Sequence, residues 1–302
     1  PVVRLLDQLL PLIKGAAVAP LELQNKLQGL FRLLGAKGVV GMALAGIDMA
    51  AWDALARAHG VPLVRLLGAE PRPIAAYNSC GLGMIGSQRA AVEAQQLASP
   101  GFAAIKVRLG YAEAGTDVEV VRAVRRAVGD GVQLMADYNQ ALSVAEAIRR
   151  TGALTGEGLT WVEEPTLADD FAGHASIRRK ASMPIQMGEN WWGPHEMAAG
   201  VAAGASDLGM PDAMKIGGVT GWLRAAAIAE SAGLPISSHL FPEVSAHLLA
   251  VSGSNVALAA GAGPSLSLTG LPAEAAIPLA GTGSSAANGA AQTAATPGSR
   301  IP

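Results

Sequence analysis

The chain has 302 residues, 50% of them hydrophobic and 15% charged, with a formal net charge of −2 at pH 7. That supports a core large enough for one sizeable α/β domain with attachments. Without a Lys/Arg-rich run or basic–aromatic interleaving, nucleic-acid binding has no support in the sequence, and a single cysteine, Cys80, excludes an internal disulfide and suits a reducing compartment.

The opening PVVRLLDQLLPLIKG is too interrupted by charge and proline to read as a signal peptide or a membrane span, so a cytoplasmic protein is expected. From about residue 3 to residue 68 apolar residues recur at three- and four-residue spacing, the mark of amphipathic helices. In GMALAGIDMAAWDALARAHGVPLVRLLG, for example, Ile47, Trp52 and Leu55 fall on one side. EPRPIAAYNS turns extended after two prolines, which places a boundary near residue 72. Beyond it, strands are predicted at 73–79, 102–108, 132–137, 159–163, 184–189, 206–211 and 235–239. Amphipathic segments such as TDVEVVRAVRRAVG and TGWLRAAAIAESAG fill the gaps. Strict alternation of strand and helix predicts a parallel sheet covered by helices. From Gly253 to Pro302 only Glu274 and Arg300 are charged, and Ala, Gly, Ser, Thr and Pro dominate. That composition has little to bury. The chain therefore divides into a helical region 1–72, a catalytic α/β region 73–252 and a low-complexity tail 253–302, expected to be disordered.

Chemistry-bearing residues stand at the C-terminal end of successive strands. LMADYNQ delivers Asp137, TWVEEPT Glu163, PIQMGENWW Glu189, LGMPDAMKIGG Asp212 and PISSHLF His239. The intervals are 26, 26, 23 and 27 residues, one strand–helix unit each time. An open doubly wound sheet would scatter such groups about a switch point, whereas a closed (β/α)8 TIM barrel gathers them at one mouth. A barrel is the predicted fold, with seven strands placed and the eighth not legible.

Any one of Asp137, Glu163 and Glu189 alone reads as a solvated loop acid. Three at neighbouring strand ends would repel one another unless a cation sat among them, and an all-oxygen set suits Mg2+. Asp212 and His239 come from adjacent strands, where a carboxylate on one imidazole nitrogen would fix the tautomer and leave the other free to take a proton. His174, His195 and His247 carry no such argument, and Trp191, Trp192 and Trp222 read as pocket-wall or packing residues. In GFAAIKVRLG, Lys106 and Arg108 stand two apart on one strand and so share a face. Lysine can act as a base there, while arginine keeps its charge.

MADYNQ, TWVEEPT, QMGENWWGPHEM, MPDAMKIGGVTGW and SSHLFPEVSAHLLA resemble segments of the enolase superfamily, within it the mandelate racemase and muconate lactonizing enzyme family, and most of all mandelate racemase. AGIDMAAWDALA…PLVRLLGA resembles that family's capping-domain helices, so residues 1–72 would be a partial capping domain. The resemblance covers about residues 1–252. It implies that Asp137, Glu163 and Glu189 bind Mg2+ and that Asp212–His239 removes the α-proton of a 2-hydroxy carboxylate on one face. It also implies that Lys106 contacts the substrate carboxylate, that Ser79 and Asn139 help to hold the substrate, and that an ene-diolate forms. Copies of the chain would assemble into a homo-oligomer.

Two positions depart from the family pattern. Where mandelate racemase carries a second lysine as opposite-face base, this chain has Arg108, and the family's acidic donor after the last strand falls at Ala259. The expectation is therefore a racemase-like isomerase with one-sided proton transfer. The alternative is a lyase that dehydrates acid sugars (aldonates or aldarates), and a further one is a metal-binding relic of a racemase without activity.

Overall fold

The computed structural model describes residues 1–99, 102–252 and 265–266. Four helices come first, α1 (Val2–Ile13), α2 (Pro20–Leu30), α3 (Gly38–Ala58) and α4 (Leu63–Leu66). Leu9, Leu27, Ala43, Leu44 and Ile47 close a small core between the first three. By length and composition α3 could cross a bilayer, yet half of it is buried within the protein. Met49 and Ala56 of α3 share one core with Val219 and Trp222 of the following region. The helical region is thus welded to the barrel by apolar packing, the dominant favourable term in folding.

The α/β region runs β1 (Ile74–Ala75), α5 (Ser87–Ala98), β2 (Ala104–Arg108), α6 (Ala114–Val128), β3 (Gln133–Asp137), α7 (Val144–Ala153), β4 (Leu159–Glu163), α8 (Phe171–Arg178), β5 (Ile185–Met187), α9 (Pro194–Ala202), β6 (Leu208–Gly209), α10 (Gly218–Ala232) and α11 (Pro242–Val251). Strands β2 to β6 form one parallel sheet in sequence order. Parallel bridges extend it at both ends, Asn78 to Ile105 on one side and Gly209 to Ile236 and Asp212 to His239 on the other. The result is an α/β fold with a parallel core and a partial TIM barrel, flanked by the N-terminal helices.

Several predicted strands are shorter than expected. Segment 73–79 reduces to Ile74–Ala75 plus the Asn78 bridge, and Pro73 at its start has no N–H to offer a ladder. Segment 206–211 keeps two strand residues, and 235–239 is held by single bridges only. The tail 253–302 lies outside the described residues except β7 (Ser265–Leu266), which pairs antiparallel with β1. Ala259 lies outside them as well.

Two-residue alternation positions the site. Ile105, Val107, Leu134, Ala136 and Val162 point outward into the core beneath α5, α6 and α7. Their neighbours Ala104, Met135, Trp161 and Met210 point inward and, with Tyr77, fill the barrel as an apolar floor. One alternation further along each strand stand Lys106, Asp137, Glu163 and Asp212. The same rule that buries the floor raises four charged groups above it.

All six non-glycine residues with left-handed backbone among the described residues lie in the loops that follow strands or bridged segments. They are Leu82, Asn139, Gln140, Glu164, Leu240 and Phe241, with φ between 33° and 66°. Such conformations are costly for L-residues and cluster where loops are tightly constrained.

Candidate metal centre and active site

Asp137 and Glu163 are Cα partners across β3 and β4, so their side chains rise side by side. Glu189 arrives by a different route. Gly188 takes φ 133°, and a Cβ there would lie 2.9 Å from the Met210 nitrogen and 2.6 Å from the Trp191 ring. Only glycine permits that turn, and it swings Glu189 out of the strand alternation towards the other two acids. One carboxylate oxygen from each of Asp137, Glu163 and Glu189 lies within 4.8 Å of the others. Three convergent carboxylates form a hard oxygen donor set that suits Mg2+, which also keeps positions for water or substrate.

Lys106 sits below this group, 2% exposed, with Nζ donating to Glu163 Oε1 at 2.8 Å and Oε2 at 2.7 Å and lying 3.2 Å from Asp137 Oδ2. It lies 5.9 Å from the Tyr77 ring centroid, and Tyr77 meets Trp161 edge to face. Burial pulls the Lys106 pKa down, but the Glu163 and Asp137 charges outweigh it and hold it above the lysine range. The residue stays an ammonium. One ammonium does not balance three acids. Burial first, then the Asp137 charge, pushes the Glu163 carboxyl well above the usual carboxylate range. A divalent cation would remove that penalty.

Across the mouth, His239 Nδ1 lies 2.8 Å from Asp212 Oδ2 and its Nε2 lies 3.1 Å from Glu189 Oε2. Asp212 is held by the N–H groups of Met214 and Lys215 on Oδ1, leaving Oδ2 for the imidazole. The His239 side chain is 21% exposed, so the ring stands where a small molecule can reach it.

Arg108 partners Asp137 across the sheet and turns towards the loop after β1, donating from one guanidinium nitrogen to the carbonyls of Ser79 at 3.1 Å and Gly81 at 2.9 Å. Ser79 is thereby fixed through its backbone, half-buried beside Arg108. Asn139 is exposed at the rim and clasps Asp137, its N–H on Oδ1 at 2.8 Å and its Nδ2 on Oδ2 at 3.1 Å. Asp137, Glu163, Glu189, Asp212 and His239 thus come together, with Lys106 inside β2 beneath the acids and Arg108, Ser79 and Asn139 beside them. His174 and His247 are buried in α8 and α11, away from it.

The sequence reading passed over Glu164, Asn190 and Lys215. Glu164 is 1% exposed, and burial, followed by the Glu189 charge, pushes its carboxyl up to about 7. Its partners are the Asn190 amide at 2.7 Å and the Gly188 N–H at 3.4 Å. The doubled acid in EEP was the available signal. A second carboxylate beside a strand-end ligand cannot share its direction, so it must find partners in the next loop.

Comparison with protein families and with known proteins gives consistent matches. Residues 2–68 match the mandelate racemase / muconate lactonizing enzyme N-terminal domain, and residues 89–298 the enolase C-terminal domain-like family, the latter running past residue 252. The chain is similar to an enolase from Bradyrhizobium whose crystal structure holds magnesium and mandelic acid. Identity is 44% and the TM-score 0.80, over 84% of this chain and 70% of that one. It is also similar to the L-talarate dehydratase of a Polaromonas species, in complex with Mg and L-glucarate. There identity is 32% and the TM-score 0.77, over 81% of this chain and 66% of that one. L-talarate/galactarate dehydratase of Salmonella typhimurium is 33% identical over 219 residues, 72% of this chain and 55% of that protein. The chain thus spans little more than half the length of such curated relatives. A mandelic-acid complex and sugar-acid dehydratases are both among the matches, so the likeness reaches the family without singling out mandelate racemase.

Proposed function

The chain belongs to the mandelate racemase and muconate lactonizing enzyme family of the enolase superfamily, and from that premise we propose that it removes the α-proton of a hydroxycarboxylate with Mg2+ and carries the reaction through to dehydration of an acid sugar. Asp137, Glu163 and Glu189 would hold the ion. When bound, Mg2+ supplies Lewis-acid polarisation of the substrate carboxylate, which acidifies the neighbouring C–H.

The protein's own residues supply the rest. Lys106, fixed as a cation beneath the acids, offers a positive charge to the same carboxylate. Ser79 and Asn139 border the place where the substrate's polar groups would lie. His239, its Nδ1 fixed by Asp212, takes the α-proton on Nε2. The electron pair of the broken C–H bond becomes a Cα–Cβ double bond as the β-hydroxyl departs. The proton carried by His239 goes to that leaving oxygen, releasing water. The remaining enol ketonises to a 2-keto-3-deoxy acid.

One observation carries the choice of dehydration. The mouth pairs a single imidazole base with a guanidinium, Arg108, already committed to two backbone carbonyls. Elimination needs one base, while racemisation needs an acceptor on each face, and a guanidinium keeps its proton at neutral pH. The talarate dehydratases among the relatives support the same reading. Racemisation remains the second reading, favoured by the 44% identity to a protein crystallised with mandelic acid.

Incubating the protein with Mg2+, a panel of aldonates and aldarates, and each mandelate enantiomer in D2O separates the two. A keto-deoxy product in the NMR spectrum is the expected result. Equal exchange and inversion of both mandelates would overturn it in favour of a racemase. No turnover with Mg2+ bound would leave a metal-binding relic.

A further inference from the structure

Five residues at the mouth close a ring of polar contacts. His239 Nδ1 meets Asp212 Oδ2 at 2.8 Å, and Asp212 Oδ1 accepts from the Lys215 N–H at 3.0 Å. The Lys215 ammonium donates to Asn190 Oδ1 at 2.6 Å. Asn190 Nδ2 donates to Glu189 Oε1 at 3.3 Å, and Glu189 Oε2 returns to His239 Nε2 at 3.1 Å. Lys215 has donors only, so it fixes Asn190 Oδ1 towards itself and turns both amide hydrogens the other way. One of them meets Glu189 and the other Glu164 Oε2, at 2.7 Å. The backbone reinforces the link, since the Gly193 N–H donates to the Lys215 carbonyl at 3.1 Å.

We propose that Asn190, oriented by Lys215, is a positioning residue that sets where the Glu189 carboxylate stands relative to the His239 imidazole. Neither residue touches the reacting atoms. Glu189 hangs on the Gly188 turn rather than on a strand, so the ladder that fixes Asp137 and Glu163 does not fix it. The ring replaces that ladder. It ties the one ligand carried by a loop to the base and to the acid that orients the base. The inference rests on the metal-dependent reading above and adds how its third ligand is held. Partners in the second layer of a metal site typically change affinity about 10- to 100-fold when removed.

The test is calorimetric titration of Mg2+ into the full chain without substrate, for wild type, Asn190→Ala, Lys215→Met and the double variant. Thermal unfolding is recorded alongside. Each single variant is expected to weaken Mg2+ binding about tenfold, and the double variant to be no weaker than Asn190→Ala, because Lys215 acts through Asn190. A general loosening of the loops would instead give losses that add. If Asn190→Ala fails to fold, Asn190→Ser and Lys215→Met carry the same comparison. Wild-type affinity in the single variants, or additive losses, would overturn this inference alone. A wild-type protein that binds no Mg2+ would overturn the metal centre and the inference with it.

Discussion

The two sides of the barrel mouth are built on opposite principles. On the side of β2, β3 and β4, Lys106, Asp137 and Glu163 are at most 2% exposed; the two acids stand in register on adjacent strands, and the Lys106 ammonium pairs with both from one layer below. On the side of β5, β6 and segment 235–239, Glu189 and His239 are 14% and 21% exposed and are held by loops. Strand-borne groups give a fixed, charge-dense cage, whereas loop-borne groups give a ring open to solvent. Holding an ion wants the first, because a cage that relaxes loses its affinity. Passing a proton, the role proposed for His239, wants the second, because a base must reach substrate.

Substitutions can break that contrast, starting with the cage. Glu163→Gln is expected to lower Mg2+ affinity by on the order of a hundredfold or more and to take turnover with it. Wild type should gain thermal stability on adding Mg2+, and Glu163→Gln should show no such gain. If the variant keeps the Mg2+ shift, the cage is not the metal site. On the open side, His239→Asn is expected to lower α-proton exchange about 10³-fold while Mg2+ still binds in calorimetry, weakened no more than about tenfold by loss of the contact to Glu189 Oε2. Abolished Mg2+ binding would merge the two sides into one unit.

Arg108→Lys sharpens the contrast from the far end of the sheet. It replaces a permanent cation by a group that can release a proton, so deuterium exchange into the second mandelate enantiomer should rise above wild type, by about tenfold. NMR in D2O reads this directly, and an unchanged ratio would remove Arg108 from the account of one-sidedness.

A further effect concerns what supports the open side from outside. Asp48 of α3 accepts from the Thr220 N–H at 2.9 Å and from its hydroxyl at 2.6 Å, serving the first turn of α10 from 172 residues away. Burial pushes its carboxyl up to about 6, against the Thr220 hydrogen bonds that lower it. A carboxyl raised in the folded state stabilises fully below the unfolded value near 3.8 and loses that contribution as pH rises through about 6. The difference is on the order of 2–3 kcal/mol. Urea unfolding of Asp48→Asn should therefore lack the decline in stability that wild type shows between pH 4 and 7. A parallel decline in both would assign the slope elsewhere.

Asp137 and Glu163 were legible because each ends an apolar strand, and an alternation that buries one face fixes which residue emerges above it; Asp212 and His239 were legible from the same repeat, although only single bridges pair them. Glu189 was legible from its interval alone, and its path through the Gly188 turn was not, since the reason for that glycine is the Trp191 ring and the next strand's backbone. Lys106 was expected to meet substrate first. The structure adds that it is wedged among the acids, a consequence of β2 setting it one layer below Asp137. Strand ends at 73–79 and 206–211 were overextended because apolar runs continue after the ladder stops. Asn190, Lys215 and Asp48 were not legible, because Glu164, Asn190 and Thr220, which they meet, come within reach only in the folded chain.

The left-handed residues Leu82, Asn139, Gln140, Glu164, Leu240 and Phe241 carry a consequence for how such a protein can change. Their unfavourable backbone angles, each costing about 1–2 kcal/mol, bend the main chain at the rim whatever side chains are mounted there. Selection can then exchange rim side chains for a new substrate while the curvature stays as it is. A glycine at the exposed Asn139 would ease the backbone there and forfeit the Nδ2 contact to Asp137 Oδ2. Backbone comfort and the aim of the rim are therefore set against each other at that peptide unit.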